Sequence, residues 1–392
     1  VTIYLDHAAT SPLRREALDA MMPFLTDDWA NASSPHGPGR RARHGLDDAR
    51  ERVAAALGAK PREIVFTSGG TEALNLAIKG VAWAGKARGH RIVISGVEHH
   101  AVTETAAHLE RFGFEIVSVP VDRYGHVDPD AIDAAVGDRT ILVAVMLANN
   151  EVGTIEPVAE IARRAHERRG CVVLCDAVQA AGWLPIDVEA LGVDLLAIGA
   201  HKFEGPKGVG ALYLRSGTHI LAQQHGGTQE RYRRAGTEDV AGIVGMAAAL
   251  ELAVDERVET VPRVRRLRDR LAAAVLAIAD VELTGHPRDR LPNSLSILVR
   301  GADGSAVVTA LDLAGVAASV GSACTSGSDE PSHVLAALGY PADEARGAVR
   351  LTLGRTTTDA DVDAALAVIP GTIERVRAGA REIAAELEVA AG

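Results

Sequence analysis

The chain has 392 residues, 47% of them hydrophobic and 24% charged, with a formal net charge of −11 and three cysteines. That composition excludes a disordered or low-complexity chain, and the few cysteines exclude a disulfide scaffold or a conventional structural zinc site. The acidic balance argues against direct nucleic-acid binding. No basic leader with an apolar core is visible and the longest apolar runs fall short of a membrane span, so no membrane association and a reducing cytoplasm are expected.

In chain order, a first helix is expected from Arg14. From about residue 60 to 215, short β-branched runs alternate with helical patterns. Strands are predicted at 63–67, 91–95, 114–119, 140–147, 171–175, 194–198 and 210–214. Helices are predicted at 72–84, 101–112, 129–135 and 157–168. Near-continuous apolar strands separated by helices specify an α/β fold with a mostly parallel sheet covered on both faces. Such sheets bind ligands at the carboxyl ends of their strands. A helical region over 243–278 follows. Elements at 294–299, 306–313, 316–319, 331–338, 349–353 and a helix from Asp359 then read as a smaller α+β domain. The expected division is a large domain over 14–257 and a small one over 1–13 and 258–392.

Chemistry-bearing residues cluster where the sheet argument places ligands. Ser68-Gly69-Gly70-Thr71-Glu72 follows a strand and opens a helix, which suits either an anion site or an ordinary capped turn. Asp176 ends an apolar strand with Gln179 three residues on; it is either a helix cap or the partner of a cationic ring nitrogen. His201-Lys202 stands between a strand and a Gly-rich turn, where poor solvation favours Schiff-base chemistry. Lysine occurs only at 60, 79, 86, 202 and 207, so the candidates are few. An anion cradle, a strand-end carboxylate and a strand-end lysine, in that order, are the parts a pyridoxal phosphate enzyme needs. Glu98-His99-His100 and Asn149-Asn150-Glu151 also follow strands. Cys324 lies in a small-residue, Gly-rich stretch, 321–328, that suits a reactive thiol. Cys171 and Cys175 lie on one face of an apolar strand and read as packing residues. Arg350 and Arg355 flank a strand, where an arginine either clamps a carboxylate or faces solvent.

With these motifs in place the chain resembles the cysteine desulfurases of the NifS/IscS type, fold-type I pyridoxal phosphate enzymes. The likeness runs almost end to end, from Tyr4-Leu5-Asp6-His7-Ala8-Ala9-Thr10 through His225-Gly226-Gly227 and Gly236-Thr237 to Arg350. The resemblance implies a seven-stranded large-domain sheet and pyridoxal 5'-phosphate as cofactor. Lys202 would be the cofactor's lysine, Asp176 the partner of its ring nitrogen, Gln179 a contact to its phenolic oxygen and His99 a ring-stacking acid/base. Gly70, Thr71 and His201 would hold phosphate, Asn150 would make a polar cofactor contact, and Thr237 would serve the other subunit of a homodimer. Arg350, with Asn31 as a second candidate, would bind the carboxylate of L-cysteine. Cys324 would form a persulfide and pass its sulfur to an acceptor protein, in iron–sulfur assembly, nucleic-acid thiolation or biosynthesis. A selenocysteine lyase or small-substrate aminotransferase is the alternative activity. Two positions depart from the family pattern: Gly199 stands where a phosphate-binding Ser is usual, and Ala32 where Pro is.

Overall fold

The computed structural model describes residues 2–167, 171–321 and 331–391. Among these, the strands in chain order are β1 (Ile3–Tyr4), β2 (Ile64–Thr67), β3 (Arg91–Ser95), β4 (Glu115–Val119), β5 (Thr140–Met146), β6 (Val172–Asp176), β7 (Leu195–Gly199), β8 (Gly210–Leu214), β9 (Val281–Leu283), β10 (Ser294–Val299), β11 (Val316–Ala317) and β12 (Ala348–Thr352). Seven of them form one sheet in the order β2-β8-β7-β6-β5-β3-β4. Only β8 runs against its neighbours in that sheet. Each strand of this sheet lies within one residue of its expected place, and the fold is the expected α/β one.

Alternation along the strands explains why the sheet is buried twice over. Phe66, Val93, Val143, Val173, Leu196 and Ala211 point to one face, under helices Gly37–Leu57 and Val240–Asp255. Their neighbours Val65, Ile92, Leu142, Leu174, Leu195 and Leu212 point to the other, under helices Gly70–Gly85 and His100–Glu110. A period of two therefore places both faces in apolar surroundings. A separate cluster gathers Leu5, Val264, Leu271, Leu295, Ile297, Leu351, Ile369 and Ile373 around the antiparallel β12-β10-β9 sheet. There β1 pairs with β11 in parallel, which draws residues 3–5 to this cluster although they lead the chain.

Two features depart from expectation. The helical region over 243–278 is two helices, Val240–Asp255 and Arg257–Val275, broken at Glu256. Helix Gly37–Leu57 has no counterpart in the prediction. Its opening Gly37-Pro38-Gly39 reads as a loop, yet His36 caps it by accepting from Gly39 N, and Ala42, Leu46, Ala49, Val53 and Leu57 bury one stripe.

The exposed edge of β2 is closed by a buried ion pair. Arg50 donates to Glu230 through Nη1 at 2.8 Å and Nη2 at 2.6 Å, and to Ile64 O at 2.9 Å. Glu230 also accepts from Phe66 N at 3.0 Å, so edge groups that a further strand would otherwise satisfy are taken. The guanidinium stacks 4.5 Å from the Phe66 ring centroid. Glu230, Arg231 and Tyr232 all have positive φ, 45°, 56° and 64°, a left-handed run costing non-glycine residues about 1–2 kcal/mol each. The pair holds this strained turn to the sheet. Replacing Glu230 with Ala strands a buried guanidinium and should cost about 3–5 kcal/mol. The expected outcome is a clearly lowered thermal midpoint; a variant as stable as the wild type would remove the pair from this role.

Candidate active site

Five strands of the large sheet release their carboxyl ends at one edge, and the polar residues that follow them converge. After β2, Gly69 adopts φ +150°, a conformation reserved for glycine, and opens helix Gly70–Gly85. A Cβ on Gly70 would stand 2.6 Å from Val178 Cγ2, so only glycine lets this helix start approach the residues after β6. The backbone N–H groups there are unpaired within the helix and suited to an anion.

After β3, His99 caps helix His100–Glu110, its Nδ1 accepting from Ala101 N at 3.0 Å. That bond leaves the ring proton on Nε2. Burial, aided by the charge of Lys202, lowers His99 to about 4, so it is a neutral ring at ordinary pH. Beside it Glu98 is wholly buried, accepting from Ser95 Oγ at 2.5 Å and Met146 N at 2.8 Å. Burial pushes its carboxyl well above the usual range.

After β6, Asp176 accepts from Val178 N at 2.9 Å. Burial raises it to about 6 against the pull of this hydrogen bond and of the Lys202 charge. Gln179 Nε2 donates to Ala8 O at 2.9 Å. After β7 a short 3-10 turn, Ala200–Phe203, presents His201 and Lys202. Lys202 Nζ donates to Ala8 O at 2.5 Å and Ala9 O at 2.8 Å. His201 Nδ1 lies 3.2 Å from Thr10 Oγ1, and burial next to Lys202 and Lys207 lowers it to about 4. At Gly199, one residue before the turn, a Cβ would meet no atom closer than 3.5 Å, so the glycine is not demanded by packing.

These residues enclose a cavity of about 300 Å³. Gly70, Thr71, His99, Asn150, Asp176, Gln179, His201, Lys202 and Arg350, all singled out from the sequence, line it together. Arg350 comes from β12 and is buried, whereas Arg355 pairs with Glu204 at 2.8 Å and is not part of the lining. Asn31 lies outside the lining, its Oδ1 accepting from Ser33 N at 2.8 Å. Thr237 is exposed and also outside. Cys324 lies outside the described residues. Cys171 and Cys175 are buried, and burial pushes both thiols up, Cys171 to about 12. Protonated thiols in apolar packing are poor nucleophiles, in keeping with the packing role expected of them.

The cavity also holds residues that sequence reasoning gave no role. Ala8 and Ala9 contribute backbone carbonyls, which no residue-type argument detects. His100 and His333 line it with ring centroids 4.6 Å apart, and His333 Nε2 donates to Glu98 O at 2.9 Å. His100 stood in a segment already flagged, whereas His333 carried no signal beyond its place after a helix-capping Ser332. Chemically, an amine, a buried carboxylate and an anion-ready helix start around one cavity could hold a planar, phosphate-bearing aldehyde.

Comparison with known proteins agrees with this arrangement. The Aminotransferase class-V family description matches residues 3–365. The cysteine desulfurase IscS of Dictyoglomus turgidum is 50% identical over 376 residues, covering 96% of this chain and 95% of that protein. A solved NifS-like protein superposes with a TM-score of 0.90 at 37% identity, covering 95% of this chain and all of the other. A structure of SspA in complex with cysteine superposes with a TM-score of 0.80 at 31% identity, over 91% of this chain and all of the other. Matched in sequence and in fold across nearly its whole length, this chain belongs to the class-V aminotransferase family and works with pyridoxal phosphate.

Proposed function

We infer that this chain is a cysteine desulfurase that converts L-cysteine to L-alanine and hands the sulfur on as an enzyme persulfide. The observation that carries the reading is the convergence of Lys202, Asp176 and His99 on one cavity in a chain 50% identical to a cysteine desulfurase. The cavity fits the cofactor. Asp176 is a buried carboxylate with one hydrogen bond from the protein, so it has capacity left for a cationic ring nitrogen. The start of helix Gly70–Gly85 and His201 offer donors to a phosphate, and Gln179 and Asn150 lie on the lining between.

When bound, pyridoxal phosphate supplies an electron-withdrawing ring that takes up the electron pair left on the substrate's α-carbon. The protein's own groups do the rest. Asp176 holds positive charge on the ring. His99, neutral and fixed by its bond to Ala101 N, offers a flat face to stack and an Nε2 proton to give. Lys202, carried at a strand end, moves the α-proton once it is free as an amine. Arg350 binds the substrate carboxylate. Cys324 as thiolate attacks the substrate sulfur; its S–S bond forms as the substrate's C–S bond breaks with the electron pair left on the β-carbon, and one proton delivered to the β-carbon and one returned to the α-carbon complete alanine.

The stretch 223–228 and Thr237 are exposed on the isolated chain, which supports a homodimer whose second subunit receives Thr237 at its cofactor phosphate. The large and small domains are assigned to 14–257 and to 1–13 with 258–392. Among the described residues no helix is long and apolar enough to cross a membrane. We infer separately a cytoplasmic enzyme that delivers sulfur to an acceptor protein.

Two outcomes are expected. Cys324→Ser should keep the cofactor's absorbance yet release no sulfide from L-cysteine; robust desulfuration by that variant would overturn the assignment. Asp176→Asn should weaken cofactor binding by roughly 100-fold, the scale of removing one partner of a buried charge pair. Protonation neutralises the wild-type carboxylate as pH falls through about 6, so the gap between wild type and Asp176→Asn should narrow below that pH. Fluorescence titration of the cofactor-free proteins across pH 5–8 reads this, and a gap that stays constant would exclude Asp176 as the charged partner.

A further inference from the structure

Arg350 is the most deeply buried cation facing the cavity, and its hydrogen bonding is incomplete. Its backbone is fixed on both sides, paired with Ser296 of β10 and bridged to Ser319. Nη1 donates to Asn150 O at 2.8 Å and Gly321 O at 3.0 Å. Nη2 donates to Asp6 Oδ1 at 2.9 Å. Nε is buried and has no partner. The Nε–H and Nη2–H groups share one edge of the guanidinium, spaced as the two oxygens of a carboxylate. Asp6 Oδ1 takes Nη2 alone and Nε–H has no partner, although a bidentate carboxylate would satisfy both. An unmade hydrogen bond on a buried donor is costly, and side-chain exposure of 2% for Arg350 gives water little chance to make it.

Asp6 differs from its partner in accessibility. Its side chain is 20% exposed, so it can return to solvent at modest cost, whereas Arg350 cannot. Asp6 also belongs to the segment whose next residues contact the cofactor lysine: Ala8 N donates to Thr352 Oγ1 at 2.8 Å, and Ala8 O receives Lys202 and Gln179.

We propose that Asp6 is a resident counter-ion that holds Arg350 in the empty site and is displaced by the α-carboxylate of the incoming amino acid. This rests on the reading of Arg350 as the carboxylate-binding residue. Asp6 neutralises the buried guanidinium while no substrate is present and keeps it aimed at the cavity. The substrate carboxylate takes the Nε and Nη2 edge, and the carbonyls of Asn150 and Gly321 keep Nη1 in place. After turnover Asp6 returns and helps expel alanine, whose carboxylate occupies the same edge. Asp6 acts through Arg350 and touches no reacting atom. Its effect is to weaken amino-acid binding by the share of enzyme in which the edge is already taken.

The test is Asp6→Asn in the holoenzyme, with KM for L-cysteine and the inhibition constant of L-alanine measured side by side. Loss of a competing charge should lower both by a common factor of about three to ten. A merely structural role for Asp6 would raise them instead. Unchanged or raised values in Asp6→Asn, beside a large KM increase in Arg350→Ala, would overturn the counter-ion role while leaving Arg350 as the carboxylate site. Unchanged KM and alanine inhibition in Arg350→Ala would overturn both. Wild-type crystals soaked with L-alanine give an answer even if the Asn variant does not fold. The proposal requires the alanine carboxylate on Nε and Nη2 with Asp6 out of hydrogen-bonding range; a retained Asp6–Arg350 contact with the carboxylate elsewhere refutes it.

Discussion

Burying a sheet on both faces leaves its polar chemistry a single outlet, the row of strand ends. In this protein every central strand is apolar on both sides, so no functional side chain can stand in mid-strand without losing its hydration. The sheet therefore concentrates Gly69, Glu98, Asn150, Asp176 and Lys202 at one edge. Five separate stretches of sequence, from residue 69 to 202, are made neighbours by strand direction alone. Packing decides where chemistry happens; the residues at those ends decide which chemistry it is.

Within the cavity the electrostatics are set by how few charges remain. His99 and His201 are neutral because burial opposes their protonation, and burial likewise opposes the ionisation of Glu98. The Lys202 charge lowers Asp176 against its burial, and Glu151 and Arg350 also line the cavity. Each charge in so poorly solvated a space acts over a longer range than it would in water. Neutral rings at His99 and His201 add no further positive charge beside Asp176 and Lys202.

Much of this was legible in the sequence. The inner strands of the large sheet were readable because burial on both faces makes each a largely apolar run, the edge strand β4 from its β-branched residues although Ser118 is exposed, and the site followed from asking what stands at the end of each run. Helix Gly37–Leu57 was not readable: its apolar stripe is interrupted by arginines, and its opening glycines and proline mimic a loop until His36 is seen as a cap. His333 was missed because it arrives from a different region of the chain, through tertiary packing against Glu98. Asp6 lay in a recognised motif, yet its partner is 344 residues away, a relation that no local pattern records.

The carbonyls of Ala8 and Ala9 that receive the Lys202 ammonium carry a different consequence. A side-chain acceptor can be deleted by one codon change, but a main-chain oxygen survives every substitution at its own position. Mutational drift can only reshape this dock, by swelling the small residues beside it or by moving the strand to which residues 3–5 are tied. The docking point for the lysine is thus insulated from the commonest kind of genetic accident, and the selective pressure falls on side-chain size at positions 8 and 9 rather than on their chemical character.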